Sequence, residues 1–212
     1  CRSGATVVGI VPGYEYAIGG ISGEVQRYAQ ISGCINTGSV SGRSSVGGIA
    51  GINNGTVASC VNQGAVEATY SYVGGIVGNN YSAISNSYNI GSVSMAIYSY
   101  AGGICGHIGP DGSLTNVYSA GALTNSWPIC MLAESGFSVT YAYYLNAGTL
   151  PGISVNQSSG TATGKTAEQF ASGEAAYLLG SAYGQTFGTH ALPVLRAQGG
   201  AAVYKLTYMN GS

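Results

Sequence analysis

A six-residue word with two adjacent glycines recurs four times in the first half of the chain. Each copy reads apolar-Gly-Gly-Ile-x-Gly, and the copies occupy residues 18–23, 46–51, 73–78 and 101–106. The first glycines of the pairs are 28, 27 and 28 residues apart. A fixed period of this length is typical of proteins built as a stack of similar units, in which each unit packs on its neighbours.

A second word, ten residues long, lies between the copies of the first. It opens and closes with an apolar residue and has glycine in eighth place, at residues 31–40, 57–66, 84–93 and 114–123. In the first three copies the sixth residue is an asparagine, namely Asn36, Asn62 and Asn89. In stacked units these amides would meet one above another, and each could hydrogen-bond the next. The glycine in eighth place predicts a turn that no Cβ can occupy cheaply.

Each unit predicts short β-strands rather than helices. Apolar, β-branched and aromatic residues alternate over short segments, and Gly, Asn and Ser interrupt them at turns. No unit carries the sustained spacing of a helix, and a propeller blade would need about 40–50 residues. A period near 28 residues suits one coil of a parallel β-helix with about three short strands. We therefore expect an all-β protein, a parallel β-helix (β-solenoid) of about five coils.

Equivalent residues of successive coils should stack as ladders along the solenoid axis. Three apolar ladders are predicted to point inward. They are Ile21, Ile49, Ile76 and Ile104; Ile31, Val57, Ile84 and Leu114; and Val40, Val66, Val93 and Leu123. One coil cannot bury such a core alone, so the coils should fold as a stack.

The same pattern divides the chain into three parts. The solenoid is predicted to span residues 1–146, with a decayed last copy at residues 139–146, and a capping region is predicted at residues 147–200. Residues 201–212 would begin a following module or linker. We also expect the chain to be an excised piece of a longer protein.

The capping region should combine a loop, short helices and short strands. Residues 147–164 are rich in Gly, Ser and Thr, which favours a loop. A capping box from Thr166 to Gln169 predicts one or two short helices over residues 165–180. We expect these helices to cover the open sheet edge at the end of the solenoid. Short strands are predicted at residues 191–195 and 203–208.

Charged residues make up only 6% of the chain, against about 25% in an average soluble domain. A surface of Ser, Thr, Asn, Gly and Tyr is common in extracellular β proteins. The six Lys and Arg are scattered and the net charge is −1, which argues against nucleic-acid binding. No apolar run approaches the roughly 20 residues of a membrane span. The fragment is expected to be a monomer.

The five cysteines show no metal-ligand spacing. Cys34 and Cys60 stand at the same place of the ten-residue word, where Ser87 and Val117 follow in later copies. A place that accepts these residues indicates a small packing site, so buried, reduced thiols are expected. A Cys34–Cys60 disulfide between stacked coils stays open, because neighbouring strands lie about 4.8 Å apart.

The sequence shows no catalytic or metal-binding pattern. The acidic residues are dispersed; Glu15 and Glu67, for example, precede Asp111 by 96 and 44 residues, which do not fit the period. His107 and His190 are far apart, and neither belongs to an HxxxH spacing. We therefore expect no enzymatic activity, no metal and no cofactor.

Tyrosine is the residue type that points to binding. Of the 17 Tyr, six form Tyr-x-Tyr pairs before the glycine words: Tyr14 and Tyr16, Tyr70 and Tyr72, and Tyr98 and Tyr100. If Val73 and Ala101 point inward, alternation sends the tyrosines of these adjacent coils outward into one patch. Exposed Tyr can bind proteins or sugars through its flat ring and its hydroxyl. The alternative is that Tyr only fills strand surface, where its β propensity is high.

The glycine word, followed by an Asn-x-Gly-x-Val word, is similar to the GLUG repeats of bacterial surface proteins. Residues 165–179 and 183–195 also resemble segments that trail such repeats. The resemblance implies a non-catalytic, extracellular structural and adhesion module on a bacterial cell surface, whose partner is a host extracellular protein or a glycan. It brings no catalytic residues, and the chain lacks the His-Glu-x-x-His motif of the metalloproteases found beside some members. The alternative function is a carbohydrate-binding or carbohydrate-processing β-helix.

Overall fold

The computed structural model describes residues 1–10, 17–96, 99–145, 151–153 and 161–205. The chain forms an all-β parallel solenoid of about five turns, followed by two short helices. This confirms the predicted fold class.

The strands follow one another in the same order in each coil. An incomplete first coil contributes β1 (Arg2–Ser3) and β2 (Val7–Val8). Coil I comprises β3 (Ile18–Gly19), β4 (Ser22–Val25), β5 (Gln30–Ser32), β6 (Ile35–Asn36) and β7 (Val40–Gly42). Coil II comprises β8 (Val46–Gly47), β9 (Ala50–Asn53), β10 (Thr56–Ala58), β11 (Val61–Asn62) and β12 (Val66–Ala68). Coil III comprises β13 (Ser71–Gly74), β14 (Val77–Asn80), β15 (Ala83–Ser85), β16 (Tyr88–Asn89) and β17 (Val93–Met95).

The later elements are fewer and longer. Coil IV comprises β18 (Ser99–Gly102), β19 (Cys105–Ile108), β20 (Ser113–Ser119) and β21 (Leu123–Thr124). Coil V comprises β22 (Cys130–Ala133) and β23 (Ser138–Leu145). The capping region adds β24 (Ala162–Lys165), α1 (Ala167–Ala171), α2 (Glu174–Leu178), β25 (Tyr183–Gly184), β26 (Val194–Leu195) and a 3-10 turn (Arg196–Gln198).

Coils I to III each have five short strands, where the sequence predicted about three. Part of the difference arises at a left-handed residue between the third and fourth strands. This residue is Gly33, Ser59, Asn86, Asn116 or Tyr141 in coils I to V, with φ between 47° and 63°. It bends the chain within one sheet, so one predicted strand becomes two in the first three coils. Gly and Asn tolerate this backbone conformation better than other residues do.

The predicted ladders are present. Ile49, Ile76 and Ile104 lie directly over one another: the amide of Ile49 donates to the carbonyl oxygen of Ile76, and the amide of Ile76 to that of Ile104, both at 2.9 Å. Their side chains are fully buried. The ladders through Val57 and Val66 are also in register from coil to coil. They fill two apolar clusters, one that contains Ile76 and Val57 and another that contains Val66.

The glycine word allows two backbone layers to touch. In coil III its Gly-Gly pair lies at the corner between β13 and β14. A Cβ on Gly75 would overlap the carbonyl oxygen of Gly103 and the side chain of Asn89, and one on Gly74 or Gly78 would overlap backbone atoms. None of these three glycines has a positive φ. The glycines of this word are therefore required because the backbones of neighbouring coils approach closely there, and not because the turn needs a special backbone conformation.

The asparagine ladder is the polar part of the interior. Asn36 Nδ2 donates to Asn62 Oδ1 at 2.9 Å, and Asn62 Nδ2 donates to Asn89 Oδ1 at 2.8 Å. Each Nδ2 also donates to the carbonyl of the glycine two residues later, whose amide donates back to Oδ1. All three side chains are fully buried. The predicted ladder is thus confirmed, and its buried amides are satisfied.

A second amide pair escaped the sequence analysis. Asn53 Nδ2 donates to Asn80 Oδ1 at 2.8 Å, and both residues are fully buried. The two residues are 27 positions apart, which equals one period. This spacing could have predicted that the two asparagines stack on each other.

The C-terminal helices pack on the side of the solenoid, which corrects their predicted place over its end. Outward-facing side chains of the fourth strands form a ladder that the capping region buries; they are Val61, Tyr88, Tyr118 and Tyr143. The Tyr88 and Tyr118 rings stack with centroids 4.8 Å apart, and Phe170 of α1 packs on Tyr118. Burial raises the pKa of Tyr88 to about 12, so its phenol is protonated at neutral pH. The apolar side chains of this ladder favour the observed helix placement, because the helices bury them away from water.

Strands, rather than helices, continue the last coil. β23 contains residues 139–145 of the predicted decayed copy and pairs in parallel with β20. β24 pairs in parallel with β23, and its first three residues lie in the segment that was predicted to be a loop. Of the two predicted C-terminal strands, β26 is present and pairs with β25, whereas residues 203–205 form no strand and residues 206–208 lie outside the described residues.

The cysteines differ partly from the sequence expectation. Cys34 is bridged to Cys1, and not to Cys60. Cys60, Cys105 and Cys130 are unbridged and buried, as expected of small packing residues. The bridge is possible because Cys1 stands one coil before Cys34 at the same place of the repeat.

Candidate functional site

Tyr72 and Tyr100 stack on each other at the surface of coils III and IV. They are register partners on β13 and β18, and their ring centroids lie 5.5 Å apart with an interplanar angle of 20°. The residues that follow them, Val73 and Ala101, are fully buried. Alternation therefore sends the two tyrosines outward, as the sequence predicted. Tyr100 is 40% exposed, and Tyr72 is half-buried.

The ring stack continues into residues that the sequence analysis did not select. The Tyr72 ring lies 5.1 Å from that of His107, and the Tyr81 ring meets His107 edge-on at 5.4 Å. Tyr100, Tyr72, His107 and Tyr81 therefore form one continuous aromatic row. Tyr81 is 40% exposed, whereas His107 is almost completely buried. The row thus has a rigid centre and accessible ends.

His107 is held by a carboxylate from the next coil. Its Nε2 lies 2.7 Å from Oε1 of Glu134, so a proton on Nε2 can be donated to that oxygen. Burial, with the Glu134 charge as the second cause, raises the pKa of the Tyr81 phenol above its usual value. Tyr81 is accordingly a neutral hydrogen-bonding group near pH 7. These contacts fix the imidazole ring between the two tyrosines.

Tyr70 stands beside the aromatic row but does not belong to the ring stack. It precedes β13 and is separated from Tyr72 by Ser71, whose φ is 72°. This left-handed residue interrupts the alternation on which the predicted patch was based. Tyr70 is 50% exposed, and the Arg43 guanidinium lies 5.3 Å from its ring centroid, within the range of a cation–π contact.

The other three predicted tyrosines, Tyr14, Tyr16 and Tyr98, lie outside the described residues. The structure therefore brings Tyr72 and Tyr100 together and places Tyr70 at their flank. The sequence prediction did not include His107, Tyr81 or Glu134, although the spacing of His107 and Glu134 was a usable signal. His107 and Glu134 are 27 residues apart, which is one coil.

Within the described ranges, no group of three or more His, Cys, Asp or Glu side chains could hold a metal ion. In that part of the chain neither helix has the length and apolar character needed to cross a membrane.

The comparison with protein families places part of this row, Tyr72 and Tyr81, within a known repeat. The family model described as "The GLUG motif" matches residues 69–94. The chain carries a GLUG motif. The match begins just before β13 and ends within β17, so the GLUG motif corresponds to one coil of the solenoid. Tyr70, Tyr72 and Tyr81 all lie within it.

The GLUG motif was the expected resemblance, and the match confirms it for coil III. Coils II and IV have the same glycine and strand positions in register with it. No curated protein and no solved structure matches the chain.

Proposed function

We propose that this chain is a non-catalytic structural and adhesion module of a bacterial surface protein, and that its aromatic row binds glycans outside the cell. The GLUG motif and the solenoid support the structural part of the proposal. The single observation that supports binding is the continuous row of rings from Tyr100 to Tyr81 at a surface of the stack.

The geometry of the row suits a sugar chain. The C–H face of a pyranose packs against a flat aromatic ring, while its hydroxyls need hydrogen-bonding groups nearby. Tyr72 and Tyr100 present nearly parallel rings, and the flanking Arg43 and Glu134 supply charged hydrogen-bonding groups. Such a combination of apolar faces with a few polar groups is typical of small-ligand sites.

A glycan fits these observations better than a protein partner does. Stable protein interfaces bury about 800 Å² on each partner around a core depleted of charge. The row is narrow, it has one half-buried tyrosine between two exposed ones, and charged residues border it. A host extracellular protein remains the competing partner, and the test below distinguishes it from a glycan.

Carbohydrate processing is a second candidate, favoured by one observation. The His107–Glu134 pair lies next to the proposed sugar platform, and a carboxylate beside an imidazole can act in proton transfer. Glycoside hydrolysis normally requires a second carboxylate within about 5–9.5 Å. Release of reducing ends from a bound glycan would favour this candidate, and intact recovery of the glycan would favour the non-catalytic module.

Removal of the Tyr70, Tyr72 and Tyr100 rings should weaken glycan binding without unfolding the protein. We expect the triple variant Tyr70→Ser, Tyr72→Ser, Tyr100→Ser to bind at least about tenfold more weakly, because about 1.4 kcal/mol of ring contact is lost. The measurement is a glycan and matrix-protein array, followed by titration calorimetry with the bound glycan. Equal far-UV circular dichroism and thermal midpoints would show that the variant is folded.

Tyr28→Ser is the control, because Tyr28 is 97% exposed and lies in coil I, whereas the row lies in coils III and IV. It should bind like the unsubstituted protein. Unchanged binding by the folded triple variant would overturn the assignment of the row. Binding to matrix proteins alone would overturn the choice of glycan, and binding to nothing on the array would count against adhesion.

A further inference from the structure

Two unbridged cysteines lie directly over one another inside the solenoid. Cys105 and Cys130 are Cα partners of the parallel pair β19 and β22. Both are fully buried in the larger apolar cluster. In coils II and III the same column contains Ala50 and Val77. Two small apolar side chains are thus followed by two stacked thiols.

The same relation holds for the cysteines that the structure already bridges. Cys1 and Cys34 also stand one coil apart, immediately before the in-register strands β1 and β6, with a Cα–Cα distance of 4.5 Å. Adjacent parallel strands lie about 4.8 Å apart, which falls within the Cα–Cα range of about 4.4–6.8 Å for disulfides. Stacked cysteines of this solenoid are therefore placed for bonding.

We propose that Cys105 and Cys130 form a second disulfide, which joins coil IV to coil V inside the apolar core. The two residues are neighbours in one column of the apolar core. The contacts that the Cys130 thiol makes to backbone carbonyls, 3.2 Å to Leu132 and 3.6 Å to Gly106, are weak hydrogen bonds. A bond between the two sulfurs would replace interactions of small energy.

Cys60 does not share this arrangement. It stacks between Cys34, which is bridged to Cys1, and Ser87 of coil III. The Ser87 hydroxyl accepts a hydrogen bond from the Cys60 amide. With its only cysteine neighbour among the described residues already bonded, Cys60 serves as an internal reference for an unbridged buried thiol.

Oxidised glutathione can supply the required oxidant by exchange. The thiolate of one cysteine attacks a sulfur of oxidised glutathione, which releases one glutathione and leaves a mixed disulfide. The second cysteine then attacks the protein sulfur and releases the other glutathione. Two electrons and two protons thereby pass from the cysteine pair to glutathione.

The exchange should take place while the chain is folding, before the two thiols are buried in the solenoid. Burial, with the neighbouring Cys130 as a further cause, raises the pKa of the Cys105 thiol well above its usual value. The thiolate is the reactive species, so the folded, reduced protein should react slowly. Once formed, the bond is shielded from reductant by the same burial.

The test is refolding of the whole chain from the reduced, denatured state in a buffer of oxidised and reduced glutathione. Remaining thiols are then alkylated in denaturant, and peptides are mapped without reduction. We expect a cross-linked peptide that contains Cys105 and Cys130, a second one that contains Cys1 and Cys34, and alkylated Cys60. Full alkylation of Cys105 and Cys130, or bonding of either to another cysteine, would overturn the proposal.

Cys105→Val is the matched variant, because Val77 occupies the same place one coil earlier. It should fold, leave Cys130 alkylated and keep the Cys1–Cys34 bond. Reductant should lower the thermal midpoint of the oxidised unsubstituted protein more than that of the variant, because a bond between coils restricts the unfolded chain. Equal shifts in both proteins would contradict a joining role for the second bond.

Discussion

Gly75→Val is expected to prevent folding of the solenoid, or to lower its free energy of unfolding by about 4 kcal/mol or more. Even a single Cβ at Gly75 would overlap the carbonyl oxygen of Gly103 in the next coil and the Asn89 side chain. The backbone cannot yield without separating two stacked coils, and Asn89 cannot yield without breaking its bond to Asn62. Chemical denaturation followed by circular dichroism measures the loss.

Gly33→Asn is the matched control for this glycine. Gly33 has a φ of 63°, and a Cβ there would meet no atom within 4 Å. Asn86 and Asn116 already adopt this conformation at the same place of later coils. The substitution should change the free energy of unfolding by less than about 0.5 kcal/mol. If both variants were equally tolerated, close backbone approach would not be the reason for the glycine word.

Tyr118→Ala should cost about 3–5 kcal/mol and release the capping region from the solenoid. The Tyr118 ring is fully buried between Tyr88 and Phe170, and its hydroxyl donates to the carbonyl of Pro193. Removal of the ring opens a cavity in the middle of the interface between the solenoid and the helices. Limited proteolysis should then cleave within residues 161–205 while the coils stay resistant.

Tyr118→Phe separates the ring from its hydroxyl. It keeps the stacking on Tyr88 and loses only the bond to Pro193, so a cost of about 1 kcal/mol is expected. A capping region that stays protease-resistant in Tyr118→Ala would contradict its docking on this tyrosine ladder.

The repeat period was sufficient to predict the ladders, because each position of a stacked coil is set by its equivalents one period away. Ile76 and Asn62 could be assigned to the interior from spacing alone, and the structure places both there. The number of strands per coil could not be predicted. It depends on left-handed residues such as Ser59 and Asn86, whose φ is not encoded by apolar alternation.

Contacts between distant segments explain what else was missed. Alternation assigns Tyr88 and Tyr118 to the outer surface of the solenoid. The capping region then buries them, and it contacts Tyr118 through Pro193, which lies 75 residues further along the chain. In the candidate site, Tyr72 and Tyr100 followed from the period. The sequence offered no metal-ligand spacing for His107, and its contacts with Glu134 and the tyrosines were not predicted.

The stacking of equivalent residues is tested most directly by comparing the thermal unfolding of two deletion variants. Deletion of residues 79–106 joins Gly78 to His107, so the chain resumes at the same place of the word one coil later. Deletion of residues 79–92 removes half a period and shifts every later residue out of register. We expect a cooperative transition for the first variant and none for the second. Equal cooperativity in both, or its loss in both, would contradict a solenoid held together by in-register coils.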